Sequence, residues 1–284
     1  MIERFQPSAA QLQSLSDEEY SAFLAITIAM LQGTEQRYDI PNLEEMSEAE
    51  VANWLETQQL QIEREYEAAT DDLLNGGTVE SWERDLVELV IAGALLALLF
   101  GFGGIGGLRS QSSAVTLVRQ SREVMRGQLA AIRTTAKRIQ QGQLTPAQIK
   151  AGKYRRASAF KESYERGRIV DAITNQGHNE GIRRLGNPHP CPDCPRHERR
   201  EWVPIEEIVP IATLCVCQQR CKCFIVTRFN RERFIAGVQN GDARNILRRY
   251  EDNLNQGRVA FLSRYGWLNQ PELDSLQSLR LSRN

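Results

Sequence analysis

Apolar residues recur at helical spacing along most of the chain, and this pattern predicts a mainly helical protein. Between residues 115 and 141 the apolar positions follow one another in steps of three, four or seven residues, which places them on one helix face. That face comprises Val118, Met125, Leu129, Ile132, Ala136 and Ile139. The face of the next predicted helix comprises Tyr154, Ala157, Phe160 and Tyr164.

Helix starts and ends are marked by short polar motifs. Capping boxes begin at Ser16, Ser47 and Thr145, each followed three residues later by Glu or Gln. In such a box the first side chain accepts a backbone hydrogen bond, and the later side chain reaches back to the cap. Glycines at residues 76–77 and at Gly142 follow the apolar runs and predict helix ends.

The most apolar segment spans residues 86–108. Its 20 uncharged residues from Leu89 to Leu108 approach the length of a membrane-spanning helix. Five glycines follow Phe100, however, and such a density favours a loop over a continued helix. We expect a buried core helix followed by a glycine-rich loop. The alternative is a segment that interacts with a membrane.

Short alternations of apolar and polar residues occur only around the cysteines, in TLCVC (213–217) and CFIVTRF (223–229). This period of two is typical of small strands. The fold class expected from the whole pattern is therefore mainly α with a small β element that resembles a zinc ribbon (α+β).

All six cysteines lie between Cys191 and Cys223. The Cys-x-x-Cys pair with a proline after its first cysteine suits a tight turn that directs two sulfurs at one ion. The predicted ligands are Cys191, Cys194, Cys217 and Cys221, with Cys215, Cys223, His189 and His197 as alternates. A closed set of four thiolates is a structural zinc site with no position for a substrate.

Disulfides and free thiols are the alternatives to a metal. The first twelve residues are largely polar and lack a continuous apolar core, so we expect no secretory signal and a reducing cytoplasm, in which disulfides rarely persist. No HExxH motif or other catalytic signature occurs in the sequence. We therefore expect no enzymatic activity, no catalytic residues and no small-molecule substrate.

The near-zero net charge hides a strong asymmetry. Residues 1–88 contain 20 acidic and 4 basic side chains, whereas residues 89–284 contain 16 acidic and 31 basic side chains. Such a chain can pair its halves internally, pair head to tail with copies of itself or present its basic part to nucleic acid, although solvated helix faces are the plainer interpretation. The predicted basic surface comprises Arg119, Arg122, Arg126, Arg133, Lys137, Arg138, Arg155 and Arg156.

These changes in composition divide the chain into four predicted regions. Residues 1–77 form an acidic helical region, and residues 78–180 form a helical core with basic helices. Residues 181–228 form the cysteine-rich, zinc-ribbon-like element, and residues 229–284 form a helical tail.

The order of motifs between about residue 75 and residue 227 resembles the phage head morphogenesis family, the minor head proteins of the phage Mu F type. The resemblance rests on a series of short motifs. They are Gly142-x-Leu144-Thr145-x-x-Gln148, Arg155-Arg156-Ala157, Arg183-Arg184-Leu185-Gly186, Cys191-Pro192-x-Cys194, Trp202-x-Pro204-Ile205, Pro210 and Cys221-Lys222-Cys223. Family members commonly close with Cys-Arg-Cys, so Lys222 is a departure.

The resemblance implies a structural component of a virion that is assembled in the host cytoplasm. It implies a position near the portal, a role in head assembly, DNA packaging or delivery, and portal or other capsid proteins as partners. Copies of the chain itself and non-specific contact with DNA are further expected partners.

Two other functional classes compete with this interpretation. One is a membrane-interacting protein that uses residues 86–108. The other is a zinc-ribbon protein that binds nucleic acid through phosphate contacts of the arginines near the cysteines. Those arginines are Arg183, Arg184, Arg196, Arg199, Arg200 and Arg220.

Overall fold

The computed structural model describes residues 46–103, 111–186, 190–211, 214–215, 217, 221–233 and 243–265. The protein is mainly α-helical and contains a small three-stranded antiparallel sheet, which confirms the predicted fold class. The chain divides into two compact units between Asp171 and Ala172. We call the described residues up to 171 the helical unit and those from 172 onward the cysteine unit.

The helical unit consists of consecutive helices. They are α1 (Glu48–Leu74), α2 (Val79–Gly101), α3 (Gln111–Gln140), the short α4 (Pro146–Lys150) and α5 (Gly152–Thr174), whose last residues enter the cysteine unit. The capping boxes predicted at Ser47 and Thr145 are both present. Gly142 follows α3 with a φ of 66°, a backbone conformation that glycine adopts without steric cost. The capping box predicted at Ser16 lies outside the described residues.

Two apolar clusters hold the helices of this unit together. The α3 face predicted from the sequence contributes Met125, Leu129, Ile132 and Ala136 to the first cluster. In the second cluster the Trp54 and Phe100 rings stack with their centroids 4.5 Å apart. The predicted apolar face of α5 is confirmed there by Phe160 and Tyr164. The side chain of Val118 is outside the described set.

Helices α2 and α5 approach each other closely enough to require glycine. A Cβ atom at Gly101 would collide with the Tyr164 carbonyl oxygen, and one at Gly167 would collide with the Leu98 carbonyl oxygen. The α2 residues 94–100 are buried, so the predicted core helix is confirmed up to the point where the glycine-rich segment begins. Among the described helices, none combines the length and hydropathy that crossing a membrane requires.

The cysteine unit is built around the strand order β2–β1–β3, with both pairings antiparallel. The elements are β1 (Glu180–Arg184), the short helix α6 (Cys194–His197), β2 (Val203–Pro204), β3 (Phe224–Arg228) and α7 (Ala243–Tyr265). The β1 and β3 strands pair from Glu180 opposite Arg228 to Arg184 opposite Phe224. The Arg249 guanidinium of α7 binds the Glu206 carboxylate at 3.0 Å.

One of the two predicted strands forms, and the central strand was missed. CFIVTRF contains β3, but the described residues of TLCVC form a bend and a turn. The reason is Leu214, whose φ of 55° is incompatible with an extended strand. Strand β1 escaped prediction because its sequence, EGIRR, lacks an apolar alternation even though Glu180 and Arg183 are buried.

Candidate metal centre

A tight turn and the start of a short helix place the first pair of cysteines. The Cys194 backbone N–H donates to the Cys191 carbonyl oxygen at 3.2 Å, which closes the turn that contains Pro192. Cys194 then begins α6, and Pro195 occupies its first turn, where a missing N–H costs nothing. The sulfurs of Cys191 and Cys194 lie 3.4 Å apart as a result.

The second group of cysteines comes from the segment that leads into β3. Cys221 and Cys223 immediately precede this strand, and its pairing with β1 fixes where they lie. The left-handed backbone at Leu214 turns the chain so that the sulfurs of Cys215 and Cys217 lie 3.4 Å apart. Extended strand geometry is therefore not needed to bring these two sulfurs together.

Four sulfurs from the two segments form one group. The Sγ atoms of Cys194, Cys215, Cys217 and Cys221 all lie within 4.8 Å of one another. The Cys194 sulfur is 3.5 Å from that of Cys217 and 3.8 Å from that of Cys221. A tetrahedral tetrathiolate with metal–sulfur bonds of about 2.3 Å has sulfur–sulfur edges of about 3.8 Å. The group is therefore compatible with a metal site.

The structure brings together three of the four predicted ligands, Cys194, Cys217 and Cys221, and adds Cys215, which was an alternate. Cys191 lies beside this group through its 3.4 Å contact with Cys194. Cys223 is buried and interacts with Cys221 and Cys194 through its thiol.

The histidine alternates are placed differently. The Nε2 atom of His197 lies 2.9 Å from the Leu214 carbonyl oxygen, to which it can only donate, so this nitrogen is not available to a metal. The bond instead ties α6 to the turn that carries Cys215. His189 lies outside the described residues.

Burial and mutual crowding disfavour thiolates in the absence of a cation. Burial, followed by the charge of Cys221, raises the pKa of the Cys194 thiol. Hydrogen bonds with Cys215 and Cys221 and burial raise the pKa of Cys217. A bound cation reverses this preference because it stabilises the ionised sulfurs. Metal binding at this group therefore releases protons and depends on pH.

The guanidinium of Arg183 lies against the cysteine group and was not predicted as part of the site. Arg183 is 0% exposed, and its Nη1 atom donates to the carbonyl oxygens of Val209 at 2.8 Å and Pro210 at 3.0 Å. Its Nη2 atom lies 3.9 Å from the Cys221 sulfur. Burial lowers the pKa of Arg183, but thiolate charge on the neighbouring cysteines raises it above its ordinary value. A fixed positive charge thus accompanies the sulfur group.

The predicted basic surface is only partly exposed. Arg119, Lys137, Arg138 and Arg155 are exposed, whereas Arg126 and Arg133 are half-buried. The side chain of Arg122 is outside the described set.

Arg156 does not belong to this surface. Its guanidinium is buried and donates to the Gln128 side-chain oxygen at 2.7 Å. Burial lowers its pKa to about 10. Arg156 therefore joins α3 to α5 inside the helical unit.

The same distinction applies to the arginines near the cysteines. Arg183 is buried and cannot reach a phosphate, and the Arg184 guanidinium donates to the Arg200 carbonyl oxygen at 2.9 Å. Arg220 lies outside the described residues. Phosphate binding by this whole set is therefore not supported, because Arg183 has a structural position.

No family model, curated protein or solved structure matches this chain.

Proposed function

We propose that this chain is a non-enzymatic structural component of a phage virion, a minor head protein that acts near the portal. The observation that carries the proposal is the group of four cysteine sulfurs within 4.8 Å. These cysteines lie in the stretch of sequence whose motifs resemble the phage head morphogenesis family. An all-sulfur, four-coordinate centre stabilises a fold and leaves no coordination position for a substrate. The role proposed is head assembly, DNA packaging or delivery.

Zinc is the proposed metal. Thiolate groups in tetrahedral arrangement suit zinc, and their sulfur–sulfur distances here of 3.4 to 3.8 Å are close to the edges of a zinc–thiolate tetrahedron. The cysteine unit has a sheet of only three short strands. Metal coordination contributes directly to the folding free energy of so small a unit, and it would keep the surrounding surface rigid.

A rigid surface suits a protein that works by contact with its neighbours. The proposed partners are the portal, other capsid proteins and copies of the chain itself. The unequal distribution of acidic and basic residues along the sequence supports this proposal, because opposite charges favour association and orient it. No step of this function requires chemistry at the metal.

The proposal is tested in the phage or prophage that encodes the chain. Purified DNA-filled particles are analysed by quantitative mass spectrometry, and the gene is deleted and then complemented in trans. We expect the chain in few copies per particle and a loss of infectious particles on deletion. Complementation with the wild-type gene restores them, whereas Cys221→Ser restores fewer. Infectious virions that lack the chain would contradict the proposal.

Non-specific DNA contact is a second candidate, and the exposure of Arg119, Lys137 and Arg138 on α3 favours it. Contacts with phosphates displace counterions, so binding should weaken steeply with salt. Lys137→Glu combined with Arg138→Glu should reduce binding to duplex DNA about tenfold or more at low salt. The control is Lys150→Glu, compared per reversed charge because it reverses one charge where the double variant reverses two; Lys150 already pairs with Asp71 at 2.7 Å. Equal effects of both changes would exclude a specific role for α3.

A further inference from the structure

One cysteine lies in contact with the sulfur group without belonging to it. The four sulfurs that lie close enough together to hold one metal ion are those of Cys194, Cys215, Cys217 and Cys221. The Cys191 sulfur is outside this set, yet it lies 3.4 Å from the Cys194 sulfur. Four thiolates complete the coordination of a structural zinc ion. Cys191 is therefore an additional thiol next to a metal ligand.

The Cys191 thiol is more accessible than its neighbour. Cys191 is half-buried, whereas Cys194 is buried. Cys217 is also half-buried, but its sulfur belongs to the group, and a bound metal ion draws on the electron pair that would attack an oxidant. The reactivity of a cysteine towards oxidants follows its exposure and its nucleophilic character. A dissolved oxidant therefore reacts with Cys191 first.

The turn between these two residues is compatible with a disulfide. The Cys194 N–H donates to the Cys191 carbonyl oxygen at 3.2 Å, and the ends of such a four-residue turn lie within about 7 Å of each other. Disulfides join Cα atoms that are about 4.4–6.8 Å apart. The two sulfurs, 3.4 Å apart, must approach by roughly 1.4 Å to reach the S–S bond length of about 2.05 Å. Side-chain rotation supplies a movement of this size without opening the turn.

Cys194 has a special position among the four sulfurs of the group. It is the only one that comes from the segment around α6, whereas Cys215, Cys217 and Cys221 come from the segment between β2 and β3. Its sulfur lies 3.5 Å from that of Cys217 and 3.8 Å from that of Cys221. A metal ion in this group therefore links the two segments through Cys194 alone, and loss of this ligand removes the link.

We propose that Cys191 is an oxidation site for hydrogen peroxide, and that the disulfide it then forms with Cys194 releases the metal. The inference rests on the proposed zinc centre and adds a reaction to it. Zinc has no redox chemistry of its own, so all the electrons come from sulfur. The oxidant concentration around the protein thereby controls whether a metal ion holds the cysteine unit together.

The reaction has two steps. The Cys191 sulfur first attacks one peroxide oxygen, the O–O bond breaks, and the products are a sulfenic acid and water. The Cys194 thiolate then attacks the sulfenic sulfur, the S–O bond breaks, and the hydroxide that leaves takes up a proton to form water. Each sulfur loses one electron, and one peroxide molecule is reduced to two molecules of water. The metal ion keeps three thiolates and dissociates.

Zinc release from the full-length protein tests the proposal. The protein is loaded with zinc under reducing conditions, separated from the reductant without air and exposed to hydrogen peroxide. A chromogenic chelator measures the released zinc, and alkylation followed by peptide mass spectrometry identifies the disulfides. We expect one zinc ion per chain to be released as the disulfide between Cys191 and Cys194 forms. Added thiol reductant and zinc should restore the starting state.

Two variants isolate the part that Cys191 plays. Cys191→Ser removes the attacking sulfur and keeps all four sulfurs of the group. We expect it to bind one zinc ion and to release it at least about tenfold more slowly than the wild type. The matched control is Cys223→Ser, because Cys223 is also outside the group but is buried. It should release zinc at the wild-type rate.

The possible results separate this inference from the proposed zinc centre. Equal rates of zinc release from the wild type and Cys191→Ser overturn the inference and leave the centre intact, and so does retention of zinc in peroxide. A Cys191→Ser variant that binds no zinc also overturns it, because Cys191 would then be a ligand. A wild-type chain without bound zinc overturns the centre itself, and the release with it.

A measurement on the wild type does not depend on any variant folding. Peroxide is added in less than one equivalent per chain, and the first disulfide to form is identified. A bond between Cys191 and Cys194 supports the proposal. A first disulfide between any other pair of cysteines contradicts it.

Discussion

At the scale of single residues, the guanidinium of Arg183 connects the central strand to the sulfur group and to the chain that follows β2. It donates hydrogen bonds to the backbone carbonyl oxygens of Val209 and Pro210, and it places a positive charge beside Cys221. Charged side chains are seldom buried without such partners. The sequence analysis named Arg183 only as a candidate for phosphate contact and not for this role, because Arg183 and its neighbour Arg184 are chemically identical and only the fold distinguishes them.

Replacing Arg183 tests this role. Arg183→Met removes the charge and leaves two buried carbonyl oxygens without a donor, so we expect it to destabilise the metal-loaded cysteine unit by about 3–5 kcal/mol. Arg183→Lys should reduce the stability of the unit less, because lysine keeps the positive charge. Hydrogen exchange of β1 in urea measures the change. Arg184→Met is the matched control and should stay within about 1 kcal/mol; equal losses at both positions would refute the assignment.

Tyr66 provides a test in the helical unit. Its hydroxyl donates to the Ile149 carbonyl oxygen at 2.8 Å, and burial raises its pKa above the ordinary value of 10.0. The folded protein therefore holds this proton more tightly than the unfolded chain. The resulting stabilisation is complete below pH 10 and is lost as the pH rises from there towards the folded pKa.

Tyr66→Phe should cost about 1–2 kcal/mol at pH 8, since it leaves a buried carbonyl unpaired. The difference in the free energy of unfolding between variant and wild type should shrink by pH 10.5, because only the wild type has a Tyr66 proton to lose. Urea unfolding followed by circular dichroism at the two pH values measures both effects. A difference in the free energy of unfolding that grows with pH would contradict a raised pKa for Tyr66 in the folded protein.

At the scale of elements, the prediction from sequence succeeded where local chemistry decides the structure. The capping boxes at Ser47 and Thr145 and the apolar face of α3 follow from spacing alone. The strand expected at TLCVC did not form, because Leu214 turns the backbone to bring sulfurs together. Which cysteines come together depends on contacts between segments that are distant in sequence. For this reason Cys215 was predicted only as an alternate ligand, although its sulfur lies within the group of four.

The crossing of α2 and α5 gives a prediction at this scale. Gly101→Ala forces a methyl group into the α5 backbone at Tyr164 and Arg168, so we expect a loss of about 1–3 kcal/mol in the helical unit. Gly127→Ala is the matched control, because a Cβ at this α3 position meets nothing within 4 Å. It should stabilise the unit by about 0.5–1 kcal/mol. Thermal unfolding followed by far-UV circular dichroism separates the two outcomes.

At the scale of the whole molecule, two units with separate cores differ in what holds them together. The helical unit has two apolar clusters, whereas the cysteine unit adds a sulfur group to a short sheet. Removal of metal by a chelator under reducing conditions should therefore expose residues 186–228 to protease and leave the helical unit intact. Limited proteolysis with peptide mapping measures this, and zinc added back should restore protection. Unchanged resistance without metal would contradict it.

The uneven charge of the chain leads to a prediction about association. The net charge is −16 over residues 1–88 and +15 over residues 89–284. If these charges drive self-association, the mean mass in analytical ultracentrifugation should fall between about 50 mM and about 1 M salt, where screening shortens the Debye length to about 3 Å. Lys137→Glu with Arg138→Glu should lower the mass at low salt. A mass independent of salt would exclude charge as the cause.

The order of the cysteines along the chain has a consequence for synthesis. Every cysteine follows Asp171, so translation completes the helical unit before the first thiol leaves the ribosome. The early pair at Cys191 and Cys194 must then wait for Cys215, Cys217 and Cys221 before an ion can be fully enclosed. If zinc fills this group as proposed, it can be enclosed only late in biosynthesis. We then expect zinc starvation to leave the cysteine unit open to oxidation and degradation while the helical unit folds.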